Sequence, residues 1–138
     1  MLLTKECDYG VRTIRALSSG EKKTVADICE VEWVPVPYAY KILKKLEHAG
    51  LVQSLRGREG GYQLTQSLDQ FSLYDIVAAI DKNLLIFECL GDNSRCPFRR
   101  GEQPCAIHAE FERLQAALVA ELQAKTMQEV LNGGNEPL

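Results

Sequence analysis

The stretch that most restricts how this chain can fold is residues 51–65. Leu51 to Leu55 and Tyr62 to Thr65 read as two short strands, and Arg56-Gly57-Arg58-Glu59-Gly60-Gly61 lies between them. Three glycines and two arginines in six positions make a hairpin tip that is conformationally free and basic. A lone two-stranded hairpin is marginal in water, so this one must lie against helices. The preceding sequence supplies them. Thr4 reads as the cap of a first helix that runs to about Ser18 and is stopped by Gly20. Thr24-Val25-Ala26-Asp27 resembles a capping box opening a short second helix, with Val25, Ile28 and Val31 facing inward. Trp33-Val34-Pro35-Val36-Pro37 breaks that helix, Trp33 being read as a core anchor. Pro37 opens a third helix to Ala49, with Tyr38, Ile42, Leu43, Leu46 and Ala49 as its apolar set and Gly50 as a left-handed cap.

Downstream, Ser72-Leu73-Tyr74-Asp75 caps a fourth helix to Ile80, and a glycine–proline loop holding Gly91, Pro97, Gly101 and Pro104 fills 88–105. From Ala106 to about Leu131 the pattern is helical, with Ile107, Phe111, Leu114, Leu118 and Leu122 recurring at 4, 3, 4 and 4. One helix of that extent is about 39 Å long. It is too long to bury its stripe on so small a body, so a second copy of the chain is expected to cover it. Gly133 and Gly134 close it, and the end frays.

The expected fold is therefore mainly α (α+β): a winged helix-turn-helix over residues 1–80, a cysteine-bearing loop over 81–105, a dimerisation helix over 106–132 and a tail over 133–138. At 138 residues and 46% apolar composition the chain fits one ordinary domain. Its apolar runs are too short to span a membrane, and Met1-Leu2-Leu3-Thr4-Lys5-Glu6 lacks the layout of a secretory signal. An odd count of five cysteines without that signal points to a reducing cytoplasm.

Net charge is −3, which argues against a general polyanion binder, but the charges are not spread evenly. Residues 33–65 carry five basic and two acidic side chains, whereas 71–138 carry six basic and ten acidic. A basic face on an acidic body is compatible with DNA. The third helix would enter the major groove through Pro37, Tyr38, Tyr40, Lys41, Lys44 and Lys45, and Arg56 or Arg58 would reach the neighbouring minor groove. His48 near the helix end reads as a C-terminal charge partner. No Ser/His/Asp grouping, phosphate-binding glycine loop or acid pair suggests an enzyme.

Cys89, Cys96, Cys105 and His108 form C-x6-C-x8-C-x2-H. Thiolates and an imidazole are ligands for an iron–sulfur cluster or for zinc, and the same thiols could instead do redox work or be incidental. The spacing lacks the tight C-x2-C knuckle usual for zinc, which tilts the reading toward a cluster. Cys29 reads as a small core residue, and Cys7 as packing or as a neighbour of the metal.

Leu3-Thr4-Lys5 through Asp8-Tyr9-Gly10, Tyr38 with Leu43 through Gly50-Leu51-Val52, and Arg56-Gly57 with Gly60-Gly61-Tyr62 resemble the Rrf2 family of bacterial winged-helix regulators. With the three-cysteine loop, the resemblance covers roughly residues 1–131. It implies a homodimeric transcription regulator, a repressor, on an operator of double-stranded DNA. It further implies an iron–sulfur cluster, 2Fe–2S in preference to 4Fe–4S, that reports iron–sulfur status, redox state or nitric oxide. Three cysteines placed like Cys89, Cys96 and Cys105 hold the cluster in such members. The fourth ligand is a histidine placed like His108, or a carboxylate from the partner's first helix placed like Asp8. Control by a regulatory protein partner without any cluster also occurs in the family, and a small electron carrier is the reading from another class. The cysteine spacing is wider than the family's usual one. Pro35, Pro37 and Tyr40 stand where serines and a glutamate occur in family members that regulate iron–sulfur biogenesis, so an operator preference does not carry over.

Overall fold

The computed structural model describes residues 3–92, 96–100 and 105–133. The segment 134–138, expected to fray, and the loop residues Gly101 and Pro104 lie outside the described residues. Helices α1 (Lys5–Ala16), α2 (Val25–Glu32) and α3 (Val36–His48) precede the antiparallel strands β1 (Val52–Leu55) and β2 (Gly61–Leu64), which are followed by α4 (Leu73–Ile80). Local chemistry sets these boundaries. The Thr4 hydroxyl accepts from the Cys7 N–H at 3.3 Å. Thr24 and Asp27 form a reciprocal capping box, and the Asp75 carboxylate accepts from both the N–H and the hydroxyl of Ser72. Gly50, at φ +80°, takes the left-handed turn that ends α3.

The core lies between α1, α3 and α4, with α2 and β1 closing its edges. Ile14, Leu17, Ile28, Ile42, Leu43, Leu46, Val52 and Ile76 are fully buried. Each contributes about 1.5–3 kcal/mol over an exposed side chain. Helices α1 and α4 cross closely at Gly10, where a Cβ would stand 2.9 Å from Ile80 Cγ1. The hairpin pairs Val52 with Leu64 and Leu55 with Gly61. Tyr62 also exchanges backbone hydrogen bonds with Lys23, at 2.8 and 2.9 Å. Gly61 permits this approach, since a Cβ there would meet the Lys23 carbonyl oxygen at 2.6 Å.

Three expectations need correction. Trp33 is not a core anchor: it is the left-handed C-cap of α2 and is 84% exposed. Val31 is exposed too, although it lies one turn from the buried Ile28, and Ala49 lies at the exposed end of α3, while Ala39, absent from the expected set, is fully buried. The helix expected over 106–131 is two helices, α5 (Ala106–Gln123) and α6 (Met127–Gly133). Thr126 starts the second one, its hydroxyl accepting from the Glu129 N–H at 3.1 Å while Glu129 accepts from the Thr126 N–H at 2.8 Å. The Met127 N–H donates to the Phe71 carbonyl at 2.8 Å, and the Met127 side chain is fully buried. The chain end thus returns to the helical body at α6. Among the described residues no helix is long and apolar enough to cross a membrane.

Candidate nucleic-acid interface and cysteine segment

Helix α3 buries Ala39, Ile42, Leu43 and Leu46 and turns its other side outward. Pro37, Tyr38, Tyr40, Lys41 and Lys44 are exposed along that side. Arg56 and Arg58 are exposed on the hairpin tip. Glu47 ties the two elements together, its carboxylate accepting from the Ser54 hydroxyl at 2.8 Å. Burial, with Glu47 nearby, pushes the Tyr62 phenol above its ordinary range. The Glu47–Ser54 contact holds the wing beside α3.

The three lysines of α3 do not share one environment. Lys41 Nζ lies 2.6 Å from Glu6 Oε1, and Lys45 Nζ lies 2.9 Å from Glu6 Oε2 and 3.0 Å from the Ile80 carbonyl oxygen. Lys45 is half-buried and ties α3 to α1 and α4. Among the described residues Lys44 makes no ion pair. Tyr38 is also shared, its ring 5.3 Å from that of the buried Tyr9. Sequence reasoning could not find Glu6, which lies 35 and 39 residues from its lysines.

Hydrogen bonds from Lys41 and then Lys45 hold the Glu6 carboxyl below its ordinary value. The clasp therefore contributes above the unfolded carboxyl value and is lost as pH falls through the lower folded one. Exposure and salt screening keep its worth to stability small. Its effect on DNA should be larger. Glu6→Gln is expected to tighten duplex binding by about two- to fivefold and steepen the salt dependence by about one phosphate contact, as Lys41 becomes available. Titrations of a labelled duplex at several salt concentrations measure both, and weaker binding would show that the clasp orients Lys41 instead of occupying it.

Cys89 lies in a 3-10 turn (Glu88–Leu90), Cys96 directly precedes another (Pro97–Arg100), and Cys105 is the N-cap residue of α5. All three are half-buried. His108 is half-buried one turn into α5, its Nε2 3.2 Å from Glu112 Oε1. Asp8 is on exposed α1 surface, paired with Arg12 at 3.0 Å. Among the described residues no three His, Cys, Asp or Glu side chains are close enough to hold a metal ion. The donors are chemically suited to an iron–sulfur cluster, and they share one segment, but they are not gathered in this arrangement. Cys7 is buried, its Sγ accepting from the Thr4 hydroxyl at 3.4 Å, and burial pushes the half-buried Cys29 thiol upward.

That segment is strapped to α5. Gln115 Nε2 donates to the Leu84 carbonyl at 2.6 Å, and its Oε1 accepts from the Ile86 N–H at 2.9 Å. Phe87 stacks on Phe111, centroids 3.4 Å apart. No residue of the 18-residue α5 is fully buried. Ile107 is 65% and Leu114 38% exposed, Leu118 is half-buried, and Leu122 packs on the core.

The profile of the Rrf2 family, described as iron-dependent transcriptional regulators, matches residues 3–133. The chain is 29% identical to the transcriptional repressor NsrR of Streptomyces coelicolor over 142 residues, spanning 100% of this chain and 93% of that one. Among solved structures it is similar to T. potens IscR (TM-score 0.77, 20% identity, 96% of this chain and 87% of that one). It is similar also to CymR, the global cysteine regulator of B. subtilis (TM-score 0.73, 22% identity, 92% and 93%).

Proposed function

This chain belongs to the Rrf2 family of transcriptional regulators, and on that footing we propose that it is a homodimeric repressor that binds a two-half-site operator and senses iron–sulfur status, redox state or nitric oxide. The observation that carries the DNA reading is the joint exposure of the first turns of α3 and of Arg56 and Arg58, on elements tied together by Glu47 and Ser54. Lys41 and Lys44 would meet phosphates, and Pro37, Tyr38 and Tyr40 would lie nearest the base edges. Two copies would pair through Ile107, Phe111, Leu114, Leu118 and Leu122.

The sensor would be an iron–sulfur cluster, 2Fe–2S in the favoured form, held by Cys89, Cys96 and Cys105 with His108 or the partner subunit's Asp8 as fourth ligand. The family description supports it, as does the placement of Cys105 at the start of α5 with the Cys89 turn packed on the same helix. A bound cluster would supply a centre that oxidants or nitric oxide can alter. This chain's own residues would carry the change onward. Gln115 and Phe111 link the Cys89 segment to α5, α5 packs on α4, and the Ile80 carbonyl of α4 receives Lys45 of α3. The ligand state matters only if it favours one spacing of the two α3 helices over another. The ungathered donors favour a second reading: the same fold controlled through thiol chemistry or by a partner protein, without a cluster.

Anaerobic isolation separates the two. The protein should be coloured and contain iron and acid-labile sulfide, and Cys96→Ser should lose the visible absorption while keeping its helical circular dichroism. A colourless, iron-free protein with unchanged duplex affinity would reject the cluster and leave the second reading.

A further inference from the structure

Trp33 is the sole tryptophan of the chain, and it stands in an unfavourable place. Its backbone is left-handed, at φ 55° and ψ 39°, and no other non-glycine residue among those described has a positive φ. A Cβ makes that conformation costly, and a glycine would relieve it. Packing does not repay the cost, because the indole is almost wholly exposed. Strain of this kind, without compensating contacts in the isolated protein, marks a position where a ligand supplies them.

The surroundings indicate the ligand. Trp33 lies in the turn between α2 and α3, three residues before α3 begins. Val31 on α2 and Val36 and Tyr40 on α3 are exposed beside it in sequence. Val36, Tyr40 and Lys44 recur every four residues, so the apolar surface runs along the same strip of α3 as a cation. The nearest acidic side chain of the turn, Glu32, is withdrawn, being buried and held by Arg15 at 2.6 Å. Aromatic and apolar groups interleaved with cations suit a sugar–phosphate wall, which offers apolar deoxyribose edges and anionic oxygens together. With the start of α3 directed at the base edges, the turn that leads into it stands where the groove meets the strand.

We propose that Trp33 clasps the phosphodiester backbone of B-form DNA at the edge of the major groove, its Nε1–H donating to a phosphate oxygen and its ring lying over a deoxyribose. The inference rests on the DNA-binding reading and adds to it a contact outside α3 and the wing. It accounts for retaining a tryptophan where the backbone favours glycine.

Because the indole is unique, its fluorescence reports on this position without a label. The full chain would be titrated with fluorescein-tagged duplexes that the protein itself retains from a random-sequence pool, binding being followed by the anisotropy of the tag. At saturation the indole emission should shift and acrylamide quenching should fall severalfold. Trp33→Gly should bind roughly tenfold more weakly, as for loss of a hydrogen bond to a charged group, and should melt no lower than the parent, which a structural anchor would not allow. A bound duplex with unchanged emission and quenching would overturn the proposal alone. So would undiminished affinity of Trp33→Gly, or shielding of the indole by raised protein concentration without DNA, which would assign the patch to contact between copies. If no duplex is retained, the DNA-binding reading falls as well.

Discussion

A chain carrying Ile107→Glu and Leu114→Glu should sediment as a monomer and bind a two-half-site duplex about a hundredfold more weakly than the parent. Both side chains are substantially exposed on α5, so the changes cost the isolated fold little. Their cost falls on the proposed pairing. A stable interface buries roughly 800 Å² on each partner, and α5, about 27 Å long by its rise, with none of its 18 residues fully buried, offers an apolar row of suitable extent. Carboxylates facing their symmetry mates would be left without water or counter-charge. Once the copies part, the second half-site is no longer reached at high effective concentration, and most of the affinity goes with it. Sedimentation equilibrium and duplex titration measure the two effects separately. A double variant that remained dimeric would move the interface off α5.

Arg15→Ala should lower the unfolding free energy by about 2–3 kcal/mol. Glu32 is only 7% exposed, and the Arg15 guanidinium meets both its oxygens, at 2.8 and 2.6 Å. The contact holds the arginine above its ordinary value. Removing Arg15 strands a buried carboxylate. The loss falls short of the 3–5 kcal/mol typical of fully buried pairs because Arg15 is itself half open to solvent and water can enter. Arg15→Met combined with Glu32→Leu should recover most of it, since neither charge then needs a partner. Urea unfolding of the three proteins tests this, and a loss below about 0.5 kcal/mol in the single variant would place the pair among ordinary surface contacts.

The sequence was most legible where the determinants were local. Thr4, Thr24 with Asp27, and Gly50 settle helix ends through atoms within four residues. The hairpin followed from its glycines in the same way. It was least legible where the deciding partner was distant. The helical reading carries on from Leu122 to Leu131, yet the helix breaks where the Met127 N–H donates to the distant Phe71 carbonyl. Trp33 was misplaced because size suggested burial, whereas its backbone conformation turns it outward. For the cysteine segment, spacing supplied the donor types, but closure of a loop depends on contacts that spacing does not encode. Lys45 looked like a groove contact on a helical wheel, and only the folded chain reveals Glu6 and the Ile80 carbonyl beside it.

The return of the chain at Thr126 has a mechanical consequence for α5. The middle of the helix is fastened by Phe111 and Gln115, and the chain is held again just past its end at Met127. A beam held at two points along its length does not swing, so the proposed docking of a second copy along α5 would have its axis dictated by each subunit before the two meet. Leu122 rests on the core as well, so clipping the backbone at Lys125 would remove only the outermost of these supports.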